Sequence, residues 1–342
     1  MIKVLIVDDS AFVREQLRRL LLGVSDFLIV GEAINGKLAV EMTQRLRPDV
    51  IIMDVDMPVE DGIEATRRIM EDTPTPILIH TSSFISRARN GPFEAIKNGA
   101  LDIIEKPSVY PFDSAGEKEL TNRIRLLAGI KVFRRMKTKS EETKADTQIQ
   151  HTAHAPHVLA IAASTGGPRA LYDFFGMLPP FIPFPILLVQ HIGANFVLGF
   201  IEWLQNTTKI QMKIAQDGEQ LLPNVCYVSP GGIHLSLRAN GAIHLDDSPA
   251  VHSCKPSADI LFKGVSTAFG RNAVGIVLTG IGDDGALGLL QMKSSGAITI
   301  AQDEESSVVF GMPKKASDIG AVSIVGNIPQ IADHVKKLFR LS

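Results

Sequence analysis

The sequence predicts an α/β protein built from two doubly wound parallel-sheet domains. Three observations carry this. At roughly 100–200 residues per domain, 342 residues make about two domains. Short β-branched runs alternate with segments of helical period in both halves. Some of those runs, such as Ile51-Ile52-Met53, are apolar without alternation, as in strands buried on both faces of a parallel sheet.

In the first half the pattern predicts strands at Lys3–Val7, Phe27–Ala33, Val50–Met53, Pro76–His80 and Asp102–Glu105. Between them it predicts helices at Ser10–Leu22, Gly36–Leu46, Gly62–Met70 and Gly91–Asn98, and a further helix at Leu120–Phe133. The polar, mixed-charge stretch Met136–Pro156 reads as a linker. In the second half strands are expected at Val158–Ala163, Pro185–Gln190, Met212–Ile214, Val225–Val228, Ala273–Thr279, Ala297–Ala301 and Val322–Ile324. Helices are expected at Ala170–Met177, Phe196–Gln205, Ala258–Phe269, Gly285–Ser294 and Ile328–Leu338. The boundaries are therefore 1–107 for the first domain, with a helical extension to about 135, 136–156 for the linker and 157–342 for the second domain.

Lys+Arg (35) nearly balance Asp+Glu (37), so no global field favours nucleic acid or an anionic membrane. The apolar runs fall far short of the roughly 20 residues of a membrane helix. The start, Met1 to Asp9, lacks the pattern of a secretory signal. The two cysteines, Cys226 and Cys254, stand alone, so spacing offers neither a disulfide nor a cysteine zinc site, and a reducing cytoplasm fits. His151, His154 and His157 are spaced by three, but no carboxylate or cysteine nearby completes a metal site.

In the first domain, strand ends carry Asp8-Asp9, Asp54 with Asp56 close behind, Thr81 and Lys106. The carboxyl ends of parallel strands form the ligand crevice of an open sheet. Acids gathered there repel unless a cation joins them, and an all-oxygen set suits Mg²⁺, while a lysine and a hydroxyl suit phosphoryl oxygens. Singly, each acid reads as a helix cap or turn residue; all six residues gathered at one sheet edge argue otherwise.

In the second domain, Val158–Ala163 runs into Ser164-Thr165-Gly166-Gly167-Pro168, a tight strand-to-helix turn that exposes a hydroxyl and backbone N–H groups. By itself a serine there reads as an N-cap. His191 follows the next strand, and Gly280-Ile281-Gly282-Asp283-Asp284-Gly285 follows a later one. Hydroxyl, imidazole and carboxylate thus gather at one sheet edge, in the order Ser, His, Asp. The last motif also has the form G-x-G-x-x-G, but two acids beside a bound pyrophosphate argue against a dinucleotide site.

With these residues in place, the first domain resembles the flavodoxin-like receiver domain of two-component response regulators. The segments Ala163–Pro168, Gln190-His191, Ser229–Gly232, Pro256–Phe262, Thr279–Gly285 and Phe310–Pro313 resemble the catalytic domain of chemotaxis protein-glutamate methylesterases of the CheB type, a Rossmann-like three-layer fold. The resemblance implies that Asp54 accepts phosphate from a histidine kinase, that Asp8, Asp9, Asp54 and Asp56 hold Mg²⁺, the last through its backbone carbonyl, and that Thr81 and Lys106 read the phosphate. It implies Ser164 as nucleophile, His191 as general base and acid, Asp284 as orienter, and the backbone N–H groups of Thr165 and Ile281 as oxyanion hole, with no cofactor for the esterase. Two positions depart from the family pattern: Ile281 replaces a methionine, and Ile103 stands where many receivers carry a mobile aromatic ring.

The implied function is phosphorylation-regulated hydrolysis of glutamyl methyl esters on the cytoplasmic helices of chemoreceptors, releasing methanol, with deamidation of receptor glutamines as a second activity. The unphosphorylated receiver is expected to restrain the esterase. The expected chain is a cytoplasmic monomer that binds kinase and receptor, with no nucleic acid and no membrane insertion. The alternatives are a hydrolase of a non-motility chemosensory pathway and a non-enzymatic regulator whose second domain binds partners.

Overall fold

In the computed structural model, residues 1–82, 91–132 and 157–341 are described. The chain divides into two units, Met1–Thr147 and Gln148–Ser342. The expected linker 136–156, with His151 and His154, lies outside the described residues. His157 is the first described residue of the second unit, where its N–H donates to the Asn272 carbonyl at 2.7 Å.

The first unit runs β1 (Ile2–Val7), α1 (Ala11–Leu22), β2 (Phe27–Ala33), α2 (Gly36–Leu46), β3 (Val50–Met53), α3 (Gly62–Asp72), β4 (Ile77–Thr81), α4 (Gly91–Lys97), β5 (Asp102–Glu105) and α5 (Ser114–Ala128). Its five strands are parallel in the order β2-β1-β3-β4-β5. The chain reverses direction across the sheet between β1 and β3, the switch point at which such sheets open a crevice. Ser10, Asn35, Asp61 and Asp113 cap α1, α2, α3 and α5, each side chain accepting the N–H three residues on.

One expectation fails here. The helix placed at Leu120–Phe133, with an extension to 135, instead starts six residues earlier at Ser114, because Asp113 caps it, and stops at Ala128, where Gly129 closes the last turn. Described residues 129–132 are not helical, and those beyond lie outside the described residues.

The second unit runs β6 (Val158–Ala163), α6 (Gly167–Gly176), β7 (Ile186–Gln190), α7 (Val197–Gln205), β8 (Gln211–Ile214), β9 (Val225–Val228), β10 (His234–Leu237), β11 (Ile243–Asp246), α8 (Ala258–Phe269), β12 (Ala273–Val277), α9 (Ala286–Ser294), β13 (Ile298–Gln302), α10 (Met312–Asp318), β14 (Ile324–Gly326) and α11 (Ile328–Leu338). Seven strands form a parallel sheet in the order β14-β13-β12-β6-β7-β9-β8. The central strands carry Val158, Ala160, Leu187 and Val277 into a core shared with Leu261 and Phe262 of α8.

Three local differences from expectation have physical causes. Helix α6 begins at Gly167 rather than Ala170, since Gly166 takes a left-handed φ of 77° that lets the chain turn at once from strand to helix. Strand β12 ends at Val277 because the Thr279 N–H turns to the Gln302 side-chain oxygen at 2.8 Å. The last strand starts at Ile324, two residues late: the Val322 carbonyl accepts from Lys293 Nζ at 2.8 Å. The antiparallel hairpin β10–β11 and helix α10 were not among the expected elements.

At the end of β3, the Gly62 N–H donates to the Val55 carbonyl at 2.9 Å, and a Cβ on Gly62 would overlap the Asp54 carbonyl oxygen. Gly62→Ala is therefore expected to cost more than about 3 kcal/mol. Gly218→Ala, at φ 78° with open space around it, should cost only about 1–2 kcal/mol. Urea unfolding of the two variants checks the contrast, and equal losses would contradict the close approach at Asp54.

Candidate functional site

The carboxyl edge of the first sheet gathers the predicted acids. Asp8 follows β1 and Asp54 follows β3, and because Val7 pairs with Met53 the two stand side by side. Both carboxylates are buried, whereas Asp9 and Asp56 are exposed. Lys106, after β5, reaches across β4: its Nζ lies 2.6 Å from Asp54 Oδ2 and 2.7 Å from Asp8 Oδ2. Thr81 is buried at the end of β4, where its carbonyl accepts the Lys106 N–H at 2.9 Å.

Burial pushes the Asp8 carboxyl above the ordinary range, with Lys106 opposing and Asp54 adding to the rise. Burial alone would lower the Lys106 ammonium, but Asp54 and Asp8 outweigh it and hold its pKa above the usual lysine value. Two buried carboxylates thus share one half-buried cation. Ligand oxygens of Asp8, Asp9 and Asp54 lie within 4.8 Å of one another, and this all-carboxylate set fits a hard divalent ion such as Mg²⁺.

Sequence reasoning missed Arg14. From α1 its Nη1 donates to the carbonyls of Asp8 at 2.8 Å and Asp9 at 3.1 Å, while Nε faces Glu32 at 3.4 Å, so it braces the acidic loop from behind. Ile103 is a buried core residue of β5.

The second sheet brings three predicted residues to its carboxyl edge. Ala163 of β6 pairs with Gln190 of β7, so the residues that follow, Ser164 and His191, leave adjacent strands together. Ser164 is locked in place. Its N–H donates to the Thr279 carbonyl at 3.0 Å, and its own carbonyl accepts from the Gly167 N–H at 2.7 Å and Gln190 Nε2 at 2.9 Å. A Cβ on Gly280 would lie 2.7 Å from the Ser164 Cβ, so glycine is required there for the loop carrying Ile281 to pass the serine. Thr165 is buried, its carbonyl accepting from Thr279 Oγ1 at 2.9 Å.

Of the two neighbouring acids, Asp284 is buried and Asp283 is exposed. Asp284 Oδ2 meets His191 Nε2 at 3.0 Å and accepts the Ala258 N–H at 2.7 Å. Oδ1 accepts the Ser257 hydroxyl at 2.7 Å and the Asp259 N–H at 3.1 Å. The carboxylate therefore sits at the amino end of α8, where backbone donors and the helix dipole favour negative charge.

Burial raises the Asp284 carboxyl, but the bonds from His191, Ser257 and Ala258 outweigh it and leave its pKa below the ordinary value. Burial lowers the His191 imidazolium, but Asp284 and Cys254 outweigh it and raise its pKa to about 9. The pair favours imidazolium beside carboxylate. The same carboxylate stabilises the imidazolium that forms when the neutral ring accepts a proton from a neighbouring group.

The anchors of Asp284 were not expected from sequence, although the segment Pro256–Phe262 was noted. Ser257 is itself held by His234 of β10, whose Nδ1 accepts the Ser257 N–H at 2.9 Å while Nε2 approaches the Pro249 carbonyl at 3.2 Å. Gly285, which closes the G-x-G-x-x-G segment, and Gly288 of α9 press on α8: a Cβ on Gly285 would lie 3.0 Å from the Ala258 Cβ, and one on Gly288 would lie 2.7 Å from the Asp259 carbonyl oxygen.

Residues 159–335 match the family model for CheB methylesterase, and residues 4–111 match that for the response regulator receiver domain. A relative from Syntrophus aciditrophicus, named protein-glutamate methylesterase/protein-glutamine glutaminase 1, is 40% identical over 344 aligned positions, covering 99% of this chain and 98% of the relative. One from Rhodopseudomonas palustris, the protein-glutamate methylesterase/protein-glutamine glutaminase of group 3 operon, is 41% identical, covering 96% and 94%. The crystal structure of the Thermotoga maritima CheB methylesterase catalytic domain matches with a TM-score of 0.52 and 34% identity, covering 55% of this chain and all of that one.

The chemistry of the buried carboxylate predicts the effect of Ser257→Ala. It removes one charge-assisted bond from a buried anion, which should cost about 1–3 kcal/mol of stability and lower kcat about tenfold while the fold survives. Thermal unfolding and initial rates on an ester substrate check both, and unaltered kcat and stability would contradict the clamp.

Proposed function

The chain belongs to the CheB methylesterase family, and from that premise we propose that Ser164 is the nucleophile of a protein-glutamate methylesterase whose output its receiver domain controls. The observation that carries the reading is the contact between the buried Asp284 carboxylate and His191, at 3.0 Å, beside the strand that delivers Ser164.

Ser164 Oγ attacks the carbonyl carbon of a glutamyl methyl ester while the neutral imidazole of His191 takes the hydroxyl proton. The developing oxyanion receives the backbone N–H groups of Thr165 and Ile281. As the tetrahedral intermediate collapses, the C–O bond to the methoxy group breaks and His191 returns its proton, so that methanol leaves. Water, deprotonated by His191, then cleaves the acyl-enzyme to free the glutamate carboxylate and regenerate the serine. Asp284 remains ionised throughout and orients the ring. Replacing the methoxy group by an amino group gives the deamidation of glutamine with loss of ammonia.

On the receiver, Asp54 takes a phosphoryl group from a histidine kinase. Asp8, Asp9 and Asp54 with the Asp56 carbonyl would hold Mg²⁺, which when bound neutralises phosphoryl charge there. Lys106 gives up its ion pair with Asp54 for the phosphoryl oxygens, and the Thr81 hydroxyl joins it. That exchange of partners is the local charge event through which phosphorylation raises esterase activity. No described helix is long and apolar enough to cross a membrane. The substrate is the methylated cytoplasmic region of chemoreceptors, which fits a role in adaptation.

Methanol release from methylated receptor fragments tests the reading. It should rise with a small phosphodonor and Mg²⁺, fail to rise in Asp54→Asn and vanish in Ser164→Ala. Asp284→Asn should fall by about 10⁴-fold in kcat, as loss of an orienting carboxylate does elsewhere, and Asp283→Asn by far less. Equal losses at the two acids, or release that persists in Ser164→Ala, would sink the assignment.

A further inference from the structure

Cys254 belongs to neither role above, yet the fold sets its sulfur against the catalytic pair. One ligand atom each from His191, Cys254 and Asp284 lie within 4.8 Å of one another. They come from three separate segments: the end of β7, the turn before α8 and the loop after β12. We infer that these three side chains form a binding site for a thiophilic divalent metal, of which Zn²⁺ is the fitting case, and that the bound ion arrests the esterase.

The donor set selects the metal. One imidazole nitrogen, one sulfur and one carboxylate oxygen match the borderline-soft preference of Zn²⁺, whereas Mg²⁺ prefers oxygen alone, as at the Asp8, Asp9 and Asp54 cluster. Three protein ligands leave a fourth position to water. Bonds of about 2.0–2.3 Å put the ligands of a tetrahedral ion roughly 3.5 Å apart, a spacing that small side-chain rotations reach from the observed cluster.

Each ligand is already held. Asp284 is fixed by Ser257, Ala258 and Asp259, and His191 by Asp284. Cys254 closes a tight turn on Val251, its N–H donating to the Val251 carbonyl at 2.8 Å and its carbonyl accepting the Val251 N–H at 3.1 Å. The intervening His252 and Ser253 both take left-handed φ values, 50° and 62°, which side-chain-bearing residues rarely adopt. Cys254 and His191 are partly exposed, so an ion can enter, while Cys226 is buried within β9. Spacing along the chain gave no sign of this site, because its members are 63 and 30 residues apart.

On binding, the Cys254 thiol and the His191 imidazolium each release a proton to solvent as the Zn–S and Zn–N bonds form, with no electron transferred. His191 gives the ion a ring nitrogen and Asp284 turns an oxygen towards it. The pair that must accept the Ser164 proton is then engaged, and turnover stops. The inhibition rests on the esterase reading; the binding does not.

The test uses the full chain in excess Mg²⁺, which fills the receiver cluster, with Co²⁺ as spectroscopic probe. Wild type and Ser164→Ala should both show near-ultraviolet thiolate-to-cobalt charge transfer together with the visible bands of tetrahedral Co²⁺, and Zn²⁺ should erase them. Cys254→Ala and Cys254→Ser should lose the charge-transfer band. Relative to each variant's own uninhibited rate, they should need at least about tenfold more Zn²⁺ for half-inhibition. A wild type without thiolate charge transfer, or variants that keep the band or the Zn²⁺ sensitivity, would overturn the site. A band in a protein that hydrolyses no ester would support the metal site and count against the esterase reading alone.

Discussion

A single buried carboxylate organises the catalytic half of this chain. Taking one charge out of water costs several kcal/mol unless donors replace the lost hydration. Asp284 meets that demand with the Ser257 hydroxyl, the N–H groups of Ala258 and Asp259 and the ring of His191. Each donor has a structural consequence. The two N–H groups tie the loop after β12 to the start of α8, Ser257 ties both to the β10–β11 hairpin through His234, and His191 ties them to β7. The glycines at 280, 285 and 288 allow the approach, since a side chain at any of them would strike Ser164, α8 or Met312. The same interaction that stabilises the loop also sets the chemistry, because it is the imidazolium form of His191 that the carboxylate favours.

The receiver half meets a similar demand differently. Asp8 and Asp54 are buried beside each other, and Lys106 serves both. A lysine is a point charge on a flexible stem, able to change partners without rebuilding the backbone. A metal ion and a phosphoryl group can therefore enter, and the charge balance of the cluster changes when they do. Asp284, enclosed by backbone donors, is built to stay as it is. One site is arranged for exchange of partners and the other for fixed geometry, and that contrast suits a switch and a catalyst on one chain.

Much of this was readable from the sequence. Parallel strands buried on both faces declare themselves as unbroken apolar runs, and β3, β6 and β9 lie where those runs predict. Residues at strand ends were readable as well, since topology alone brings Ser164 and His191 to one edge. Elements with weaker signals were not: the hairpin β10–β11 is short and half-polar despite its Asn240-Gly241 turn, and α10 is only seven residues long. Nor could spacing reveal contacts made by folding. Arg14 behind the acidic loop, Ser257 under Asp284 and Cys254 beside His191 each depend on which loops meet, and no local pattern encodes that.

Asp284 sets the protonation of His191, and titration of the His191 ring by nuclear magnetic resonance is the decisive check. A histidine whose charged form gains a partner on folding stays protonated above its ordinary range, so His191 should lose its proton near pH 9 in the native chain rather than near 6.5. In Asp284→Asn, with the charge gone and burial unopposed by it, the midpoint should drop towards 6.5 or below while the spectrum stays that of a folded protein. A ring that titrates near 6.5 in the native chain, or at the same pH in both proteins, would contradict the account.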